Sequence, residues 1–362
     1  MVVKQTAEIT QYAEKAGLPA SENLVAGILD DRLFVGYYAM YLKKYGVVFK
    51  DIRKAYEENK EEIKNFLERI HYDKPLQVDE NTAGFYIRVP PRTNVPIPIY
   101  GCFIIGTRGI TQRIINIIDI GDNSNVLIAK GCASLVSEGA HSAMTLLYVG
   151  KNSMLKNLMI HNWAPNIDVG SKTYGLIDEN SKFEYYYVKI SPIRALGLLS
   201  HLIGMKNSTI EVHEASVAHK NSRLNTNTLI ELRGNGSRAV ITSRGVVEEN
   251  GYMNVMAKII AEADETKGHI ECNGLVLGRG IYKTAPVLET KTNNTRLTHE
   301  ASIGKISGEQ IFYLQTRGLS EEEATKMIIL GFLSSALIGL PEKMREYVQL
   351  ALKQITSFGK GF

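Results

Sequence analysis

Asn180-Ser181-Lys182-Phe183-Glu184-Tyr185-Tyr186-Tyr187-Val188 sets a turn pair ahead of a β-rich run, and the arrangement recurs along the chain. An Asn-Ser pair, or Asn-Gly-Ser, stands at Asn123-Ser124, Asn152-Ser153, Asn180-Ser181, Asn207-Ser208 and Asn235-Gly236-Ser237, at intervals of 29, 28, 27 and 28 residues. A strand-like run follows each, over residues 125–128, 158–160, 183–188, 209–212 and 239–242. Asn and Ser suit turns because their side chains bond nearby backbone and Asn tolerates left-handed φ. A turn, an outgoing strand and a return strand every ~28 residues is the pattern of a β-solenoid coil. The alternative is an ordinary antiparallel sandwich in which the pairs recur partly by chance. A leucine-rich repeat of similar period needs L-x-x-L-x-L, which is absent.

Outward from this middle the character changes. Residues 5–16 read as a helix closed by Gly17-Leu18-Pro19, and residues 51–70 as a second, with Ile63, Phe66, Leu67 and Ile70 on one stripe. Strand character begins at Phe85-Tyr86-Ile87-Arg88-Val89, ahead of Pro90 and Pro91, which lack ladder donors and belong at an edge or turn. Beyond Ile306 helices return. Ser307 with Gln310 and Ser320 with Glu323 form two S-x-x-E/Q capping boxes, and Gly318 can end the first helix. Pro341 opens a third helix with Met344, Tyr347, Val348 and Ala351 on a stripe. The expected plan is an N-terminal helical region over 1–75, a β core over 76–306 and a C-terminal helical domain over 307–362.

A chain of 362 residues can bury a full core without staples. Its 42 basic and 38 acidic residues leave +4, too little to argue for nucleic acid or an anionic membrane as partner. The longest mostly apolar stretch, residues 327–340, is short of the ~20 residues that span a bilayer. Cys102, Cys132 and Cys272 are odd in number and widely spaced, which points to a reducing compartment. With no apolar segment in the opening MVVKQTAEITQ, a cytoplasmic protein is expected.

Signatures of common chemistries are missing: there is no G-x-x-x-x-G-K-[ST], G-x-G-x-x-G, H-E-x-x-H, C-x-x-C or G-x-S-x-G. Gly278-Arg279-Gly280 is too short for a phosphate loop. His161-Asn162-Trp163, with the single tryptophan, reads as core or interface. One constellation stands out through the repeat length. Cys272 lies 27 residues before His299 and 28 before Glu300, so a coil of ~28 residues sets them on adjacent coils about 4.8 Å apart. A thiolate, an imidazole and a carboxylate so placed can share a metal ion or an iron–sulfur cluster. Successive strand residues face opposite ways, so a regular strand puts only one of His299 and Glu300 on Cys272's side. Cys132 is five coils away, about 24 Å, which argues against a site made of cysteines alone. The competing reading is a buried, inert Cys272.

Glu271-Cys272-Asn273-Gly274-Leu275-Val276-Leu277-Gly278, Pro286, Glu289 and Thr298-His299-Glu300-Ala301-Ser302-Ile303-Gly304-Lys305-Ile306 resemble the SufB/SufD family. The resemblance continues through residues 308–324, with weaker matches at Tyr86-Ile87-Arg88-Val89-Pro90, Gly131-Cys132-Ala133 and His161-Asn162-Trp163. It implies a mainly β protein, a right-handed parallel β-helix between helical ends. The implied role is that of a scaffold, not an enzyme, in the SUF iron–sulfur assembly system, with the ATPase on a separate SufC-type chain docking on the C-terminal helices. It also implies Cys272, His299 and Glu300 as ligands of a transient iron–sulfur cluster, as in SufB. SufD-type members, which lack the cysteine and glutamate, serve as non-metal interaction subunits. SufB proteins are usually longer, and some carry a cysteine that receives sulfur from a donor protein near the position of Leu176; no cysteine lies between Cys132 and Cys272 here, which leaves Cys132 as the candidate substitute. The unpaired coil near residue 306 invites a homodimer, or a heterodimer with a SufB/SufD paralogue. A solenoid carbohydrate-active enzyme needs paired carboxylates, and no acidic pair is read at coil spacing.

Overall fold

The computed structural model describes residues 13–18, 24–35 and 38–353. Its chain winds into a parallel β-solenoid of about eight turns with few helices at its ends. Successive strands alternate between two ten-strand sheets, one running from Arg32–Val35 to Thr295–Gly304 and the other reaching Ile281–Thr290 at the same end. Pairing is parallel throughout both sheets except where strands Leu24–Leu29 and Arg32–Val35, and Val48–Asp51 and Phe85–Val89, meet antiparallel.

The Asn-Ser repeat is the corner of each coil. Asn123, Asn152, Asn180 and Asn207 all have φ between 54° and 56°, the left-handed region that Asn tolerates and most side chains do not. At the fifth corner Gly236 takes that conformation, φ 73°, and Asn235 precedes it. The following hydroxyls stitch coil to coil: Ser153 Oγ accepts from Ser124 N at 3.0 Å and donates to the Gly121 carbonyl at 2.9 Å. Ser181 donates to the Gly150 carbonyl in the same way.

Alternate strand residues face inward. Val126, Leu155, Phe183, Ile210 and Ala239 stack in register, one per coil, and are buried. The outer face of the first sheet is covered by residues 13–18 and the C-terminal helices. Ile329, Leu333, Leu337 and Met344 pack there against Leu158, Tyr186 and Val217. Helices Ile52–Glu58 and Lys60–Arg69 cover the second sheet through Ile63 and Phe66.

Two expectations need correction. The region 1–75 is not wholly helical: strands Leu24–Leu29, Arg32–Val35 and Val48–Asp51 stand in it, and Leu24–Leu29 pairs with Ile99–Ile105. A boundary at 75/76 therefore cuts across both sheets. Of the helix expected over 5–16, residues 5–12 lie outside the described residues. The Ser320–Glu323 capping box is complete, whereas Ser307 caps through Glu309 N without a reciprocal bond from Gln310. In helix Glu342–Lys353 Met344 and Val348 are buried; the side chains of Tyr347 and Ala351 lie outside the described residues.

Candidate metal centre at the open end of the solenoid

Cys272 sits in strand Thr266–Val276, and His299 and Glu300 sit in Thr295–Gly304, the last strand of its sheet. Pairing between these strands is unbroken: Ile270 faces His299, Glu271 faces Glu300 and Cys272 faces Ala301. The coil here is 29 residues long, one more than the spacing assumed from the turn pairs. A one-residue difference in register turns a side chain to the other face. His299 therefore shares the inward face with Cys272, two residues along and one rung further on. Glu300 projects outward beside Glu271. No three His, Cys, Asp or Glu side chains among the described residues gather to hold a metal.

The two inward groups differ in setting. Cys272 is fully buried one rung from the end, and burial pushes its thiol up to about 11. The Thr284 hydroxyl, which has no other hydrogen-bond partner, faces it from the opposite sheet. His299 is exposed because no coil follows its strand. A buried thiol under a single rung and an imidazole on the open rung are donor types that mixed metal sites use.

Glu271 is the outer anchor of the Cys272 strand. It accepts from Arg244 at 2.5 Å and from Asn273 Nδ2 at 3.0 Å. Arg244 Nε donates in turn to Ser335 Oγ at 3.1 Å, tying helix Glu321–Ser335 to this strand. Glu271 and Glu300 are an acidic pair at coil spacing, which the sequence reading had excluded. With Glu271 engaged by Arg244, the pair is not a free acid and base.

Other singled-out residues are structural. His161 Nδ1 lies 2.9 Å from the Tyr187 hydroxyl, and Trp163 is buried against His141 with ring centroids 4.8 Å apart. Gly278 takes φ 61° in a turn where Glu249 accepts from Arg279 N, so the Gly-Arg-Gly tract cradles a carboxylate. Cys132 faces the interior beside Met159, five rungs from the Cys272 strand, with its thiol raised by burial. Leu176 packs on the opposite sheet's outer side. Missed by the sequence reading was the inner column that ends at Cys272, namely Glu214 and Ser243. Counting back by 29 twice from Cys272 finds both.

Comparison with known proteins places these observations. The family model for the SufBD core domain, SUF system FeS cluster assembly, matches residues 103–332. An iron-sulfur cluster assembly SufBD family protein of Archaeoglobus fulgidus is 34% identical over 76% of this chain and 74% of its own length. One from Methanothermobacter thermautotrophicus is 31% identical over 74% of this chain and 66% of its own. The iron-sulfur cluster assembly protein SufB of Bacillus subtilis is 27% identical over 92% of this chain and 75% of its own. No helix among the described residues is long and apolar enough to cross a membrane.

Proposed function

Because the chain belongs to the SufBD family of the SUF iron–sulfur cluster assembly system, we propose that it is a scaffold subunit on which a nascent cluster is held and then released. The observation that supports this is the placing of Cys272 and His299 on one inner face at the unpaired end of the solenoid. Iron and sulfide are cargo here, bound through the Cys272 thiolate and the His299 imidazole. Such a mixed set holds a cluster less firmly than four thiolates, which suits handover. Glu300 joins the set only from its own face, at an edge shared with a second chain.

That edge supports an assembly. Strands Ile281–Thr290 and Thr295–Gly304 end their sheets, and Ile281 and Ile303 stand about half exposed on them. Long edge strands with apolar side chains favour pairing with another chain. We assign this edge to a second copy or a SufB/SufD paralogue. The cluster's sulfur comes from a donor protein in the cytoplasm.

A SufC-type ATPase docks on the C-terminal helices in this reading. Helix Gly308–Thr316 presents Phe312, 67% exposed, with Tyr313 beside it. Buried aromatic anchors at interfaces contribute 2 kcal/mol or more, so Phe312→Glu is expected to weaken ATPase binding about thirtyfold. Calorimetric titration of the ATPase against both proteins measures this, and unchanged affinity removes this helix from the interface.

The burial of Cys272 favours a second reading, a SufD-like interaction subunit that binds no metal. Anaerobic reconstitution with ferrous iron and sulfide separates the two. The scaffold gains visible absorbance that depends on Cys272; the interaction subunit gains none.

A further inference from the structure

Glu214, Ser243 and Cys272 form one unbroken column on the inner face, each paired in register with the next. Rungs stand about 4.8 Å apart, which sets the backbones of Glu214 and Cys272 about 10 Å apart with the serine hydroxyl between them. All three are buried, Glu214 with only 3% of its surface exposed. Packing alone gives no reason for a carboxyl here, since an unpaired buried charge is costly. Among the described residues Glu214 makes no ion pair. Thr228 Oγ1 donates to it across the interior, 3.2 Å from Oε1, and the Thr226 hydroxyl stands beside it.

The surroundings permit a proton to move. Tyr282 comes close to Ser243 from the opposite sheet, its hydroxyl donating to the Asn273 carbonyl at 3.5 Å. The hydroxyls of Thr226 and Thr284, both facing the interior, lack a fixed partner. Groups facing Glu214 are Tyr187 and Tyr185 from strand Lys182–Lys189, Cys272, and Tyr282 from Ile281–Thr290. Burial raises all of these, so Glu214, lifted to about 7, is the member of the group that changes charge near neutral pH.

We propose that Glu214 is the internal proton acceptor for Cys272, acting through the hydroxyl of Ser243. This rests on the reading of Cys272 as the thiolate ligand of the site, since a thiol must lose its proton to bind metal. As the sulfur bonds to an electrophile, the S–H bond breaks and its proton passes to Ser243 Oγ. The proton already on Ser243 passes to the Glu214 carboxylate, and the sulfur keeps its electron pair for the new bond. Below pH about 7 the carboxyl is protonated and cannot accept, so reactivity rises as pH rises through that value.

Methyl methanethiosulfonate labelling of the full chain tests this without metal. The Cys272 sulfur attacks the probe's sulfenyl sulfur, a disulfide forms and methanesulfinate leaves. Peptide masses follow each cysteine separately, with Cys102 and Cys132 as internal controls. Glu214→Gln is expected to slow labelling of Cys272 by about tenfold or more and to abolish the rise near pH 7, the other two cysteines being unaffected. Ser243→Ala should do the same, and Ser243→Thr should restore the rate. The proposal is overturned by a Glu214→Gln rate within about twofold of the parent, by equal slowing of all three cysteines, or by a Cys272 that never reacts in the parent. Failure of iron uptake alongside normal Glu214-dependent labelling would instead end the scaffold reading alone.

Discussion

In the Cys272→Ala variant, reconstitution with ferrous iron and sulfide is expected to leave about a tenth or less of the wild-type visible absorbance and bound iron, since deleting a ligand costs at least the 10–100-fold in affinity that outer-shell changes do. The variant should fold: the lost atom is one buried sulfur, worth about 1 kcal/mol in packing. His299→Ala should lose much of the signal too, because the imidazole shares the inner face and stands on the open rung. Glu300→Ala should lose little in the isolated chain, where the carboxylate points outward beside Glu271, and more in the paired assembly. Iron and acid-labile sulfide counted per chain, beside the spectra, measure all three. Equal absorbance in wild type and Cys272→Ala would sink the cluster role. A Glu300→Ala loss as large as that of Cys272→Ala in the isolated chain would show that the last strand turns over in solution.

Gly234→Ala is expected to destabilise the solenoid by about 3–5 kcal/mol, lowering its thermal midpoint by on the order of 10 °C. The added methyl would lie 1.9 Å from Lys206 N and 2.2 Å from the Met205 carbonyl carbon, both backbone of the neighbouring coil. A backbone cannot swing aside as a side-chain tip can, so the corner must open. Opening it strains the 3.1 Å bond from Gly234 N to the Gly204 carbonyl and the bond from Ser237 Oγ to the Gly234 carbonyl. Gly170→Ala is the control, because no atom lies within 4 Å of the methyl it adds. It should shift stability by no more than about 0.5 kcal/mol or gain slightly by relieving glycine's unfolded-state entropy. Melting followed by circular dichroism reads both, and a Gly234→Ala midpoint equal to that of Gly170→Ala would mean the coils stand further apart at that corner.

Much of this architecture was legible because its demands fall on single residues. A left-handed corner selects Asn, so Asn123, Asn152, Asn180 and Asn207 announced the coils. A helix N-terminus with orphan donors selects a capping box, so Ser320 and Glu323 announced helix Glu321–Ser335. The short strands Leu24–Leu29 and Val48–Asp51 carry no such mark; each becomes a strand by pairing with a distant one, Ile99–Ile105 and Phe85–Val89.

For the candidate site, residue types and the idea of neighbouring coils came from the sequence alone. Turn pairs recur at 27 to 29 residues because corners vary in length while strands stay in step. The first three corner intervals match the strand register of their own coils. The average of ~28 fails when carried on to the last coil, which is 29 residues long, and that one residue moves Glu300 from the face of Cys272 to the opposite one. The linear order of amino acids determined that this chain winds into coils and which coils bear sulfur, imidazole and carboxylate. Only the paired backbones decided which of those groups look inward together, and that Glu214 and Ser243 stand behind the thiol, because facing is set by hydrogen-bond register between strands distant in sequence.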